Sequence, residues 1–192
     1  MYADNLLVGK GLKLLFISQI LSVVTNFLGD GLLFGATGIA AVIVALAGLN
    51  TAAPAHPKFR AAFRLNIVMI VLYVVTGVLT VLPTAGQTVL LIAVTILTTA
   101  LGAWNVYLIC TAAGEFLILS GYATLAAKGV TVWKLFLVTS AATSVFMLLA
   151  LVPILLVIAG ILVIGTAVAT LVGGILYMIF LYNAYHALLY GR

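Results

Sequence analysis

Charge is the scarcest resource in this 192-residue chain: three acidic and eight basic residues make up 6% of it, where a soluble domain carries about 25%. So few ionised groups do not cover a surface in water, which excludes a cytosolic enzyme, a secreted domain and a disordered linker. The single cysteine, Cys110, has no partner for an intramolecular disulfide, and the two histidines, His56 and His186, form no cluster with metal-ligand spacing. Catalytic signatures are missing as well: no HExxH, no paired aspartates of membrane-protease type, no Gly-x-Ser-Gly nucleophile with a membrane histidine and no P-loop. No enzyme activity, cofactor, metal or nucleic-acid partner is therefore expected. What the chain does have is apolar residues, 66% of the total, with a mean hydropathy of +1.41. Its solvent is the lipid bilayer.

A span needs about 20 apolar residues to cross about 30 Å of hydrocarbon. Six runs qualify: about 14–28, 32–49, 65–82, one beginning at Thr88, about 133–151, and one from about Ile154 onward. Gly29, Asp30 and Gly31 break the first from the second, and a polar segment from Asn50 to Arg64 follows. Pro83 to Gln87 punctuates the next turn, and Pro153 divides an uncharged run that is too long for one crossing. The run from Thr88 to Ala127 reads as one long helix continuing beyond the membrane face. Two spans turning near Gly102 or Asn105 are the alternative. With six spans, Lys10, Lys13, Lys58, Arg60, Arg64, Lys128, Lys134 and Arg192 all fall on one side. By the positive-inside rule that side is cytoplasmic and holds both termini. The stretch after Lys13 lacks a small-x-small cleavage site and reads as a retained span. The expected fold is an all-α polytopic membrane bundle, one domain over 1–192, made of three hairpins at about 10–49, 60–127 and 130–192.

Aligning the odd helices on a basic residue exposes a repeat: Gln19, Asn66 and Ser140 each stand six positions after Lys13, Arg60 and Lys134. Six helical residues rise about 9 Å, which places the three at similar depth. Gln19, Ser22, Asn26 and Asp30 share one face of the first helix, and Thr139, Ser140, Thr143 and Ser144 echo its inner part. In hydrocarbon such a face turns toward other helices or a wet cavity. Interhelical hydrogen bonding and a solute-lining role are both open for Gln19, Ser22, Asn26, Asn66, Ser140 and Thr143. The even helices carry small residues four apart: Gly31 with Gly35, Ala36 with Ala40, Thr95 with Thr99 and Ala103, and Gly165 with Ala169 and Gly173. Such seams let helices approach closely, so the tightest contacts are expected there.

Glu115 is the only acid in the fourth helix and is expected to pair with a basic residue among Lys58, Arg60, Arg64 and Lys134. With Asn183 and His186 it forms a candidate cluster at the cytoplasmic face. The aromatic residues near that face, Trp104, Tyr107, Trp133, Tyr177, Tyr182, Tyr185 and Tyr190, read as an interfacial belt. His56 reads as a solvated loop residue.

At WNVYLICTAAGE (104–115) and ILYMIFLYNAYHAL (175–188) the chain resembles small six-span membrane proteins of Gram-positive bacteria with no assigned function. The resemblance implies a bacterial cytoplasmic membrane and transfers no site residues. In size, span number and lack of an ATPase the chain is also similar in outline to the substrate-binding subunits of energy-coupling-factor vitamin transporters. Two roles follow. The first expectation is a nonenzymatic subunit or scaffold, acting by helix association with itself or another membrane protein. The alternative is a small-solute transporter or its substrate-binding subunit, with a polar path along helices 1, 3 and 5.

Overall fold

The structure, a computed structural model, describes residues 2–27, 32–81, 87–149, 151–152 and 156–191. These form six α-helices: α1 Tyr2–Phe27, α2 Leu32–Ala52, α3 Pro57–Val81, α4 Gln87–Leu119, α5 Ala123–Leu149 and α6 Leu156–Tyr190. Five carry a stretch long and apolar enough to cross a membrane, and the described part of α2 adds a shorter one, Ala36–Ala52. Their outward faces are apolar, as at Val71, Val74, Val78 and Val81 on α3 and Ile164, Val168 and Leu171 on α6. That surface suits lipid and not water. The chain is an all-helical, membrane-embedded protein.

Several helix ends differ from the sequence expectation. The polar segment from Asn50 to Arg64 is not all loop, because α3 begins at Pro57. Proline suits a first helical position, where its missing N–H has no partner to lose. His56 precedes it as the cap: its Nδ1 accepts a hydrogen bond from the Lys58 N–H at 3.2 Å. The fourth helix is continuous through Gly102 and Asn105, which removes the alternative of two spans there, but it stops at Leu119 and does not run to Ala127. Gly121 takes φ +87°. The Tyr122 N–H returns to the Leu117 carbonyl at 2.8 Å and the Gly121 N–H to that of Ile118 at 3.0 Å, a Schellman stop. α5 therefore starts at Ala123, about ten residues before the expected span. Asp30, Gly31 and Pro153 lie outside the described residues.

Each helix packs against its neighbours in the chain, and α6 closes on α1, so the six form a ring in sequence order. The starts of α1, α3 and α5 meet the ends of α2, α4 and α6 at one end of it. There Gly11 abuts Gly48, Gly9 abuts Leu189 and Gly129 abuts Phe180, and the Asn5 side chain donates to the Ser120 hydroxyl at 3.0 Å. The core sits at this same basic end, around Leu12, Leu49, Phe59, Ile109, Leu117 and Phe180. On α3 no described residue beyond Met69 is buried, and on α4 none before Ala103. Packing is dense at the basic end and loosens away from it.

Candidate functional site

Where the dense packing stops, a cavity of about 490 Å³ opens inside the ring, lined by residues of all six helices. At about 30 Å³ per molecule of liquid it has room for about 16 waters. Leu15, Val106, Ile109 and Phe136 make its apolar portion. Three carboxamides, Gln19, Asn66 and Asn105, join three helices on its wall. Asn66 donates to the Asn105 Oδ1 at 3.1 Å and to the Ala62 carbonyl of its own helix at 2.9 Å. That commits both of its N–H groups, while the Asn105 amide nitrogen makes no hydrogen bond among the described residues. Gln19 makes no hydrogen bond among the described residues, although it faces the cavity.

Threonine hydroxyls line the rest. Thr95, Thr99, Thr139, Thr143 and Thr170 each donate to a carbonyl one turn back, at 2.7–3.0 Å. A hydroxyl bonded in this way has spent its only proton and presents lone pairs. Ser140, buried between them, lines the same wall. Tyr177 is buried and meets Phe136 edge-on at 6.0 Å. Tyr73, by contrast, lines the cavity while 61% exposed. The cavity therefore reaches the outer surface of the bundle beside α3.

The residues singled out in the sequence separate in the structure. Gln19, Asn66, Ser140 and Thr143 come together on the cavity wall. Ser22 does not join them. Its hydroxyl donates to the Ser18 carbonyl at 3.0 Å, and Thr25 bonds the Thr37 hydroxyl of α2 at 3.0 Å. The outer part of that stripe thus serves helix packing. Asn26 lies in α1, with its side chain outside the described residues. Thr98, which no sequence pattern marked, lines the cavity with Gly102 and Asn105, which the sequence offered only as a possible turn, and with Thr95, Thr99 and Ala103, which were expected to be a packing seam.

The other seams also need correction. A Cβ built on Gly165 meets nothing within 4 Å, because its side of α6 faces outward, whereas one on Gly173 lies 3.5 Å from Leu135 and Phe136. Ala169 between them is half-buried, and Gly35 lies in α2 with its surroundings outside the described residues. A close backbone approach is instead made by Gly11 with Gly48, each Cβ position 2.6–2.8 Å from the other's carbonyl oxygen. It joins α1 to α2.

At the basic end Glu115 receives a hydrogen bond from Lys58 Nζ at 2.6 Å, and its second oxygen lies 2.9 Å from His56 Nε2. Because Nδ1 of His56 accepts at the helix cap, Nε2 carries the proton that points at Glu115. His56 is thus a structural partner and not a free loop residue. The expected grouping of Glu115 with Asn183 and His186 does not form. Asn183 bonds the Ile179 carbonyl of its own helix at 2.8 Å, and exposed His186 stacks among Tyr182, Tyr185 and Tyr190. Glu115 points instead to the α2–α3 connection. With these half-exposed side chains the cluster resembles a surface ion pair that pins the start of α3 to α4.

No protein-family model matches this chain, and no curated protein or solved structure matches it either. The class rests on the fold and site alone: an all-helical, membrane-embedded protein with a cavity whose described lining is uncharged and mixes polar with apolar side chains.

Proposed function

We propose that this chain binds a small solute within the membrane, as a transporter or as the substrate-binding subunit of one. The cavity carries the reading. Membrane bundles have no water to satisfy a stray amide, so polar groups at this depth pair with one another or line a wet space. Among the described residues Gln19 is unpaired and the Asn105 amide nitrogen makes no hydrogen bond, beside a volume in the range of ligand sites.

The expected effect is a thermal shift. A ligand present at 100 times its Kd stabilises by about 2.7 kcal/mol. Small-molecule fractions from the source cells, added to the detergent-solubilised protein, should include one that raises the melting temperature by several degrees. No shift from any fraction would count against the reading.

The same proposal extends to topology: six spans in three consecutive hairpins, with both termini and the basic end in the cytoplasm of a bacterial cell. It is supported by the clustering of basic residues where the helix ends meet. In a Cys110→Ala chain, Val130→Cys should stay unlabelled by an impermeant thiol reagent applied to intact cells, and robust labelling would place that end outside. A second reading, a scaffold subunit docking another membrane protein or a second copy, draws on the outward face of α6 at Gly165, where an added Cβ would meet no described residue within 4 Å.

A further inference from the structure

We propose that the cavity takes an uncharged molecule rich in hydrogen-bond donors, such as hydroxyls or amide N–H groups, with an apolar part; this rests on the solute-binding reading. Among the described residues no Asp, Glu, Lys, Arg or His lines the cavity, although the chain carries Glu115 and eight basic residues. An ion entering it would lose hydration with no opposite charge to replace it. The bond directions add a second, independent selection. The threonine protons point back to helix carbonyls, so the upper wall offers acceptor oxygens from Thr95, Thr99, Thr143 and Thr170. Donors on the wall are confined to the amides of Gln19 and Asn105, the Ser140 hydroxyl and the tyrosine phenols. A ligand complementary to that wall brings its own donors, and its apolar part meets Leu15, Ile109 and Phe136. The mouth lies beside exposed Tyr73, on a bundle whose outward surface is apolar, a further barrier to a charged solute.

The test reads charge selection from inside the cavity. In a Cys110→Ala chain kept in its own membrane, Thr99→Cys on α4 and, independently, Thr143→Cys on α5 place a thiol on the wall. Each is reacted with three methanethiosulfonates of similar size, hydroxyethyl, sulfonatoethyl and trimethylammonioethyl. Rates are normalised to Ala127→Cys, an exposed position at the basic end. The uncharged reagent should react at least about tenfold faster than either charged one, since burial penalises the ion. Glycerol should slow that labelling, and dimethyl sulfoxide, which has no donor, should slow it less. Equal or faster labelling by a charged reagent would overturn the inference while leaving a solute site in place, and a fast cationic reagent would assign the acceptor wall to a cation. Equal effects of glycerol and dimethyl sulfoxide would overturn the donor preference. No labelling at either cavity position, with Ala127→Cys reactive, would sink the solute-binding reading itself.

Discussion

Gly11→Ala should destabilise the protein by about 1–3 kcal/mol, the usual cost of overpacking, while Gly165→Ala should leave stability unchanged or raise it by up to about 1 kcal/mol through helix propensity. The two substitutions are chemically identical and differ only in surroundings. A methyl group on Gly11 would sit 2.6 Å from the Gly48 carbonyl oxygen and 2.8 Å from the Ala52 Cβ. Its nearest neighbour is backbone, so no side-chain rotation relieves the clash and the helices must separate. Dispersion falls steeply with separation, and in lipid it carries much of helix association, because no hydrophobic drive replaces it. The Cβ position on Gly165 meets nothing. Unfolding titrations in mixed micelles measure both; equal losses would show that the α1–α2 approach does not hold the ring. Because Gln19 follows Gly11 by about two turns on α1, separating α1 from α2 also displaces an amide from the cavity wall.

That contact illustrates what the sequence conceals. Small residues four apart flag a seam within one helix, and Gly48 with Ala52 is such a pair that went unmarked; their partner, Gly11, lies on a different helix, and only the fold brings it to them. The same pattern misleads at Thr95, Thr99 and Ala103. A face of small residues looks identical whether it meets another helix or borders a hole, and here it borders the cavity. The polar repeat was more legible. Gln19, Asn66 and Ser140 share a spacing from basic residues, helix rise converts equal spacing into equal depth, and all three lie on the cavity wall. Asn105 reads in the sequence only as a possible turn, because it sits on an even helix outside the repeat of basic residues; its bond to Asn66 at 3.1 Å gives it its place. Apolar runs gave six helices, but their ends depended on short-range chemistry. Pro57 behind a capping His56 starts α3 inside a segment that reads as polar loop. Gly121 at positive φ stops α4 at Leu119, eight residues before the expected end at Ala127. His56 is the clearest omission: its role needs Glu115, which is 59 positions away in sequence and 2.9 Å away in space.

Gly102→Leu should abolish solute binding without unfolding the protein. Gly102 lines the cavity, and a Cβ built on it meets nothing within 4 Å, so a leucine side chain has space to extend into the volume that the solute needs. It also replaces a glycine in the middle of α4 with a strong helix former, which favours the helix by about 1 kcal/mol. Loss of binding with unchanged or higher stability separates a cavity effect from a folding effect, which a disruptive core substitution cannot do. A Gln19→Leu exchange tests the wall in a complementary way. It removes the unpaired amide, and with it the polar contact that this account gives to the solute, while conserving size.

Native mass spectrometry of the wild-type chain and Gly102→Leu, each gently extracted from its own membrane, puts the central claim to the most direct test. The account predicts a retained nonprotein mass that is distinct from lipid in the wild type and absent from the variant, with both chains folded. Identical spectra carrying only lipid, or a stoichiometric protein partner held equally by both and no small molecule in either, would contradict a solute cavity and leave association as the role of this bundle.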